Sequence, residues 1–206
     1  MSGVDLYVAL ALGIGLAAAS GFRVFIPPFL YGLATRFELN PTAFAGSDMQ
    51  AWMASDVGLT VLGAAVVCEL LAYYIPWLDN LLDAIASPAA VIGGMVLMSS
   101  SLGELDPVLR WSTSIIVGGT TSGTVQVSTV GIRALSTAST GGLGNPIVST
   151  VEAGACLVCT VLALLLPVLA MVLVVAGLVV GGRWLLRRRS KMGEDGAASV
   201  SINPQA

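Results

Sequence analysis

The sequence predicts an all-α integral membrane protein with about six transmembrane helices, arranged as two three-helix inverted repeats in which helices one and four are interrupted. The composition, the spacing of long apolar stretches and a partial internal repeat predict this class. The chain is 56% hydrophobic and 10% charged, and its mean hydropathy is +0.90. Soluble domains carry about 25% charged residues, so lipid must replace water around most of this molecule.

Six apolar stretches follow one another along the chain, each long enough for a transmembrane helix of about 20 residues. Polar or turn-forming residues separate most of them, and a single proline, Pro167, separates the last two. One transmembrane domain therefore takes up residues 1–189, and the small polar residues of 190–206 predict a disordered cytoplasmic tail. The stretches cover about residues 5–35, 52–76, 81–102, 108–135, 147–166 and 168–187.

A partial internal repeat relates two segments of the chain. Residues 66–76 match residues 157–167 at a constant offset of 91 positions, and the matches include cysteine with cysteine and proline with proline. A shorter match at an offset of 102 positions joins the Ser-Gly pair at residues 20–21 to the Ser-Gly pair at residues 122–123. The alternative explanation is a chance similarity between hydrophobic helices.

The repeat predicts two halves of three helices each, at about residues 5–103 and 108–187. Because three is an odd number of spans, the second half would enter the membrane from the opposite side. Inverted repeats of this kind occur in many secondary transporters.

The first stretch is too long and too interrupted for a simple transmembrane helix. Its 31 residues would rise about 46 Å as one helix, against an apolar core of about 30 Å. Gly21 loosens the backbone near the middle, and Pro27 and Pro28 remove two backbone donors. Two interpretations stay open: two half-helices with a break, or a re-entrant hairpin.

The fourth stretch is interrupted at the matching place by small and polar residues, at positions 117–129. Such residues suit close helix contact or the wall of a polar cavity. Interrupted segments at corresponding positions of two halves point to a transport site. The alternative is tight packing between helices one and four with no ligand. The predicted substrate-binding residues are Gly21, Arg23, Glu69, Gly119, Thr121, Ser122, Gly123 and Gln126.

Two charged residues lie well inside the predicted spans. Arg23 lies at the break in the first stretch and Glu69 in the middle of the second. A charge at the membrane centre costs about 2.5–3.5 kcal/mol on insertion scales, and it points to function by default. Arg23 could hold an anion beside half-helix ends, and Glu69 could carry a proton because burial disfavours a charged carboxylate. The alternative is a fixed ion pair that locks two helices together.

Asp79 and Asp83 follow Pro76 at the turn between the second and third helices. They are four residues apart, so they share one face if this segment is helical. They could guard a cytoplasmic mouth or bind a cation, although Asp79 could equally cap a helix. Three charged residues are weaker candidates for a functional site, because they lie nearer predicted helix ends, where long side chains reach water: Arg110, Arg133 and Glu152.

The residue inventory argues against an enzyme. The sequence has no histidine, so it lacks the usual zinc and catalytic-triad arrangements. Cys156 and Cys159 form a C-x-x-C pair, but inside an apolar helix we expect them to pack as small hydrophobic residues. We therefore expect no catalytic residue, metal or cofactor. Nucleic acid is not expected as a partner, because no basic groove with interleaved aromatics occurs.

Three strings carry a resemblance to a known family: residues 21–28 (GFRVFIPP), residues 69–76 (ELLAYYIP) and residues 79–83 (DNLLD). Over most of residues 8–186 the chain resembles a bacterial multi-pass membrane family, domain-of-unknown-function family 4126. The resemblance implies a small membrane protein without an assigned activity. It transfers no catalytic residue, ligand or partner.

These observations predict a small membrane transporter or channel for an unidentified small solute or ion, with a pathway between the broken helices one and four. The alternatives are a non-transporting assembly or regulatory protein and a lipid-handling protein. Membrane lipid and a small solute or ion are the expected partners, and a homo-oligomer stays open.

The arginine-rich end of the sixth stretch predicts the orientation. Residues 183–191 contain four arginines and a lysine, and cytoplasmic flanks of transmembrane helices are enriched in such residues. Six spans then place both termini in the cytoplasm, at a bacterial inner (plasma) membrane. The loop at residues 37–55 and the acidic loop with Glu104 and Asp106 would lie outside.

Overall fold

The computed structural model describes residues 3–39, 47–72 and 75–183, and the side chains of all of these except residues 76–83. Within these ranges the regular structure is helical and includes no strand. Three of the described helices are long and apolar enough to cross a membrane, or four if one bent pair counts as a single span. The protein is therefore an all-helical, membrane-like protein. The predicted count of six exceeds the spans that length and composition identify.

The described helices lie in two compact units. Residues Met1–Met171 form the first unit, and the second begins at Val172 and is described only as the later part of α9. The predicted tail, residues 190–206, and most of the arginine cluster lie outside the described residues. The helices are α1 (Gly3–Ser20), α2 (Ile26–Arg36), α3 (Asp48–Ala54), α4 (Asp56–Ala72), α5 (Pro76–Ser101), α6 (Pro107–Thr113), a π-helical turn (Ser114–Gly119), α7 (Thr120–Thr140), α8 (Asn145–Leu165) and α9 (Pro167–Arg183).

The chain reverses direction between α1 and α2. Near its beginning α1 lies beside the end of α5, where Ala9 packs against Leu102, and its end lies beside Ala90 of α5. α2 then runs back, because the Tyr31 hydroxyl reaches the side chain of Ser101. Of the two interpretations of the first stretch, the structure supports the hairpin.

Local sequence explains where the reversal occurs. Gly21 lies so close to α7 that a Cβ atom there would be 2.5 Å from the Ser122 carbonyl oxygen. Only glycine fits this contact at the end of α1. Pro27 and Pro28 lie in the first turn of α2, where their missing N–H groups leave no helical hydrogen bond unmade. The prolines therefore begin a second helix instead of bending the first.

α3 and α4 form a pair with a bend of 72° between them. Ser47 begins α3 by accepting a hydrogen bond of 3.1 Å from the backbone amide of Gln50. α4 then runs along α2 in the opposite direction. Asp56 pairs with Arg36 at 2.8 Å at one end, and Glu69 lies beside the hairpin tip at the other. α4 thus points the same way as α1.

The predicted interruption of the fourth apolar stretch, at residues 117–129, is wrong. α6, the π-helical turn and α7 follow one another without a break, so residues 107–140 form one continuous helix. The small residues make a close contact with α5 instead, where a Cβ atom on Gly118 would be 2.7 Å from the Gly94 carbonyl oxygen. Small residues let helix backbones approach, and here they serve that contact.

The helix directions agree only in part with an inverted repeat. α8 runs opposite to α1, since Gly15 lies beside Ala163 whereas Arg23 lies beside Ser149. α4 and α8 therefore run in opposite directions, as the repeat requires. α1 and α7 run in the same direction, because both are antiparallel to α5. The hairpin causes this disagreement, since it adds a reversal that the second half lacks.

The hairpin also changes which helix ends share one side of the bundle. Leu6 of α1 and Leu105, after α5, pack on the same small core. The start of α3 lies at this end too, because Ser47 and Arg110 line one pocket. A count of six simple spans places the N-terminus opposite these loops. The bundle disagrees with that placement, because α2 returns the chain to the end where α1 began.

Candidate functional site

Four ionisable side chains meet in the interior of the bundle. Arg23 in the hairpin tip is 2% exposed, Glu69 of α4 is 7%, Arg133 of α7 is 4% and Glu152 of α8 is 5%. We refer to these four residues as the charge cluster. Two positive and two negative charges make it formally neutral, and pairing offsets part of the cost of taking each charge out of water.

The Glu69 carboxylate holds the tip of the hairpin. Its two oxygens accept hydrogen bonds from the backbone amides of Val24 (2.8 Å) and Phe25 (3.1 Å). Phe25 immediately precedes α2 and supplies no capping side chain of its own. Glu69 therefore provides, from another helix, the negative charge that a helix N-terminus favours. Hydrogen bonds to a charged group contribute about 1.5–3 kcal/mol each.

Arg23 joins the hairpin tip to α8. Its Nη2 atom donates a hydrogen bond of 2.8 Å to the Ser149 carbonyl and lies 3.7 Å from a carboxylate oxygen of Glu152. The two residues predicted to share a site, Arg23 and Glu69, do lie together at the tip. These contacts of Arg23 nevertheless go to α8, whereas those of Glu69 go to the backbone of the tip.

Arg133 and Glu152 form a two-pronged ion pair between α7 and α8. The Arg133 Nε donates to both carboxylate oxygens, at 3.2 and 3.0 Å, and Nη2 contacts one of them. This fork geometry is the strong form of a charged pair. The expectation that these two side chains reach water near helix ends is wrong. α7 continues to Thr140 and α8 begins at Asn145, so both lie about two turns inside their helices.

Arg133 belongs to a row of buried polar residues on α7, and Glu152 belongs to a similar row on α8. The members of each row recur every three or four positions, except that Cys156 takes the place between Glu152 and Thr160, and this spacing keeps them on one helix face. The Asn145 amide donates a hydrogen bond of 3.0 Å to the Thr137 hydroxyl near one end. This spacing is the sequence signal that points to Arg133 and Glu152. The buried members are Ser122, Gln126, Thr129 and Arg133 on α7, and Asn145, Ser149, Glu152 and Thr160 on α8.

The other predicted binding residues lie at helix contacts. Gly21 lies against Ser122 of α7. The first and fourth apolar stretches therefore touch closely where the sequence predicts a pathway. Ser122 is fully buried and donates a hydrogen bond of 2.9 Å to the Gly118 carbonyl of its own helix. Solute binding by these residues stays a prediction. The remaining positions are Gly119 beside Met95, Thr121 buried, Gly123 beside Val91, and Gln126 with its amide 3.4 Å from the Ser87 hydroxyl.

Asp79 and Asp83 lie on α5, but their side chains are outside the described part of the chain, so the predicted gate or cation site stays a prediction. Among the described residues, no group of three or more cysteine, aspartate or glutamate side chains is placed to hold a metal ion. Cys156 and Cys159 are free thiols, and their sulfur atoms lie 3.3 and 3.6 Å from carbonyls of α1. Their contacts fit the predicted packing role.

Two clefts open beside α5 on either side of the hairpin tip. The first, which we name the Glu69 cleft, has a volume of about 330 Å³ and is lined by apolar side chains together with Glu69. The second, the apolar groove, has a volume of about 310 Å³ and extends from the tip toward α3. Phe25 and Ala89 line both clefts and stand between them. Glu69 is thus the member of the charge cluster that lines this cleft.

Comparison with known proteins gives a family but no activity. A family model described as "Domain of unknown function (DUF4126)" matches residues 10–188, which include every residue of the charge cluster. The resemblance inferred from the three strings is thereby confirmed. No curated protein and no solved structure matches the chain.

Proposed function

Because the chain belongs to the domain-of-unknown-function family DUF4126, we propose its activity from the charge cluster: a small membrane transporter or channel for a small solute or ion, in which Glu69 takes up and releases a proton. The observation that carries the proposal is the burial of four ionisable side chains at the tip of a hairpin inside a bundle of apolar helices. Ionisable residues within a membrane are costly and point to transport or relay roles.

Glu69 links protonation to the position of the hairpin. The charged carboxylate accepts two hydrogen bonds from the backbone of the tip. A proton on this carboxyl weakens both bonds, since hydrogen bonds to a charged partner are roughly twice as strong as neutral ones. α2 then loses part of the contact that fixes its first turn. Discontinuous helices form the binding and moving parts of many secondary transporters.

The route that we propose runs through the Glu69 cleft. The close contact of Gly21 with Ser122 argues against a pathway between helices one and four at that level. Arg23 and Arg133 lie behind Glu69 and would balance its charge or hold an anionic solute. A proton entering by the cleft would thus meet Glu69 before the rest of the charge cluster.

We also propose a multi-pass placement in a bacterial inner membrane. The arginine-rich end of the chain is assigned to the cytoplasm by the enrichment of basic residues there. The turn after α5 and the start of α3 are assigned to the outer side. The N-terminus joins them there, because the hairpin brings both ends of the first stretch to one end of the bundle. This placement needs an odd number of membrane crossings, because the hairpin of α1 and α2 enters and leaves on the outer side, and it replaces the six crossings that the sequence predicts.

A non-transporting assembly or regulatory role is the second candidate, and one observation favours it. The charge cluster balances two positive with two negative charges, and Glu152 holds Arg133 in a fork. Such a set can act as a fixed lock between the hairpin, α7 and α8. In that case Glu69→Gln would weaken folding without any transport defect to measure.

Proton flux in liposomes tests the proposal. The purified full chain is reconstituted with a trapped pH-sensitive dye, and a potassium gradient with valinomycin sets the membrane potential, with and without a chloride gradient. We expect proton movement above that of protein-free liposomes. Glu69→Gln should slow it by about tenfold or more, the loss expected when a proton-transferring group is removed.

Glu38→Gln is the matched control, because Glu38 is an exposed carboxylate away from the charge cluster. It should keep the flux of the unaltered protein. Thermal melting of both variants in detergent separates lost activity from lost folding. Flux no greater than that of empty liposomes under every gradient, or equal flux in a folded Glu69→Gln protein, rules the proposal out.

A further inference from the structure

A polar pocket of about 210 Å³ lies where α3 begins, beside the end of α5 and the start of α6. Arg110 and Asp48 line it, together with Ser99 and Ser100. The Arg110 Nε is buried and makes no hydrogen bond within the part of the chain that the structure describes. Its Nη1 reaches the Gly103 carbonyl only at 3.5 Å. The guanidinium therefore keeps donor capacity for a ligand in this pocket.

The apolar groove continues from this polar pocket. Met49 and Val96 line both spaces, and the groove then follows α5 to Phe25 and Ala89 at the hairpin tip. From Ser100 to Ala89 the helix rises about 16 Å, which is close to half of an apolar membrane core of about 30 Å. One site thus combines a charged, hydroxyl-lined end with an apolar groove, and the two together are about as long as one membrane leaflet is deep.

Two exposed tryptophans mark the polar end as a membrane boundary. Trp52 of α3 is 43% exposed and lines the apolar groove, and Trp111 of α6 is 45% exposed and lines the polar pocket. Indole side chains concentrate at the level of lipid headgroups. The polar pocket then lies at headgroup depth, and the apolar groove lies at the depth of acyl chains.

We propose that the polar pocket and the apolar groove together bind one membrane phospholipid whose headgroup carries a phosphate and a primary ammonium, as phosphatidylethanolamine does. The Arg110 guanidinium donates to the phosphate, and the ammonium donates to the Asp48 carboxylate. One acyl chain follows α5 as far as Phe25. The two proposals use different chemical groups, since Arg110 and Asp48 line the polar pocket whereas Glu69 lines the other cleft.

Thermal melting of the purified full chain with added lipid tests the headgroup. Phosphatidylethanolamine, phosphatidylcholine and phosphatidylglycerol with identical acyl chains are compared. Phosphatidylethanolamine should raise the melting midpoint most. The quaternary ammonium of phosphatidylcholine has no N–H to donate to Asp48, and phosphatidylglycerol brings no cation to it. Equal shifts from the three lipids would mean unspecific lipid coverage and overturn the proposal.

Two headgroup variants separate the contacts. Arg110→Gln should remove the shift given by every phospholipid, whereas Asp48→Asn should keep a shift but lose the preference for phosphatidylethanolamine. Asp48 is exposed, so its variant should fold. Arg36→Gln is the control, because Arg36 lies at the same end but pairs with Asp56, and it should keep both effects. Retention of the full lipid preference in Asp48→Asn or in folded Arg110→Gln overturns the assignment.

A third variant tests the acyl chain. Ala89→Phe fills the part of the apolar groove nearest the hairpin tip, and native mass spectrometry counts the lipid molecules that stay bound. We expect the unaltered protein to retain one phosphatidylethanolamine and the variant to lose it. A variant that melts normally and retains the lipid contradicts the proposed path along α5.

Discussion

Glu152 is the residue on which the buried charges converge. It forms the two-pronged pair with Arg133 and lies 3.7 Å from Arg23. Its removal therefore leaves two guanidinium groups facing each other in the interior. Breaking one partner of a buried pair is more costly than replacing the whole pair with apolar residues, because the charge left behind has lost both water and its partner.

The first prediction follows from this asymmetry. Glu152→Leu should lower the free energy of unfolding by about 3–5 kcal/mol. Adding Arg133→Met removes one of the two buried guanidinium charges that Glu152 had balanced, so the double variant should recover part of that loss. Thermal melts of the single and double variants in one detergent measure both effects. Glu38→Leu, at an exposed carboxylate, should melt like the unaltered protein. A double variant less stable than the single would show that the pair is not a local unit.

At the scale of elements, the contact between α5 and the long helix of residues 107–140 depends on glycine. The backbone of Gly118 lies against that of Gly94, and a Cβ atom on Gly118 would also be 2.8 Å from the Met98 Cβ. Helix association in lipid relies on such close packing, since lipid chains are as apolar as the helix surfaces. The glycines within residues 117–129, where the sequence predicts an interruption, therefore allow two continuous helices to pack closely.

The second prediction compares two glycines of this long helix. Gly118→Ala should destabilise the protein, because the added methyl group meets the Gly94 carbonyl oxygen and backbone must move. Gly131→Ala should be neutral or stabilising by up to about 1 kcal/mol, since nothing lies within 4 Å of its Cβ position and alanine favours a helix over glycine. Melting midpoints in detergent measure both. Equal midpoints for the two variants would contradict the close contact.

At the scale of the whole molecule, the hairpin decides the topology. α1 runs away from one end of the bundle, and α2 returns to that end. The helices from α4 to α8 therefore run in the opposite direction from the one that a single first span would give. The start of α1, the start of α3 and the turn after α5 consequently lie together. The turn between α7 and α8 lies at the other end.

The third prediction tests this arrangement by cysteine labelling. Gly3→Cys and Asp48→Cys should react with an impermeant maleimide from one side of the membrane, and Ser139→Cys only from the other. Intact and permeabilised vesicles give the two measurements. Labelling of residue 3 and residue 139 from the same side of the membrane would favour a single first span instead of the hairpin. The background carries alanine in place of Cys68, Cys156 and Cys159.

The sequence by itself determined the class of the protein, its family and two of the four buried charges. Composition is a sum over residues, so it identifies a lipid-facing chain without knowledge of contacts. Arg23 and Glu69 can be identified from the sequence because a charge well inside a long apolar stretch stands out. Arg133 and Glu152 are weaker candidates from the sequence, because helix boundaries drawn from hydropathy place them near water.

Only the tertiary structure decided the hairpin, the continuity of the fourth helix and the partner of each charge. Gly, Ser and Thr at positions 117–129 are compatible with a break or with close packing, and the presence of Gly94 on α5 selects packing. Similarly, Gly21 and the two prolines permit a kink or a reversal, and Glu69, from a helix about 45 residues away, holds the reversed tip. Local sequence limits the conformations of a segment, whereas contacts between distant segments choose among them, because burial and pairing energies depend on neighbours that a local pattern does not contain.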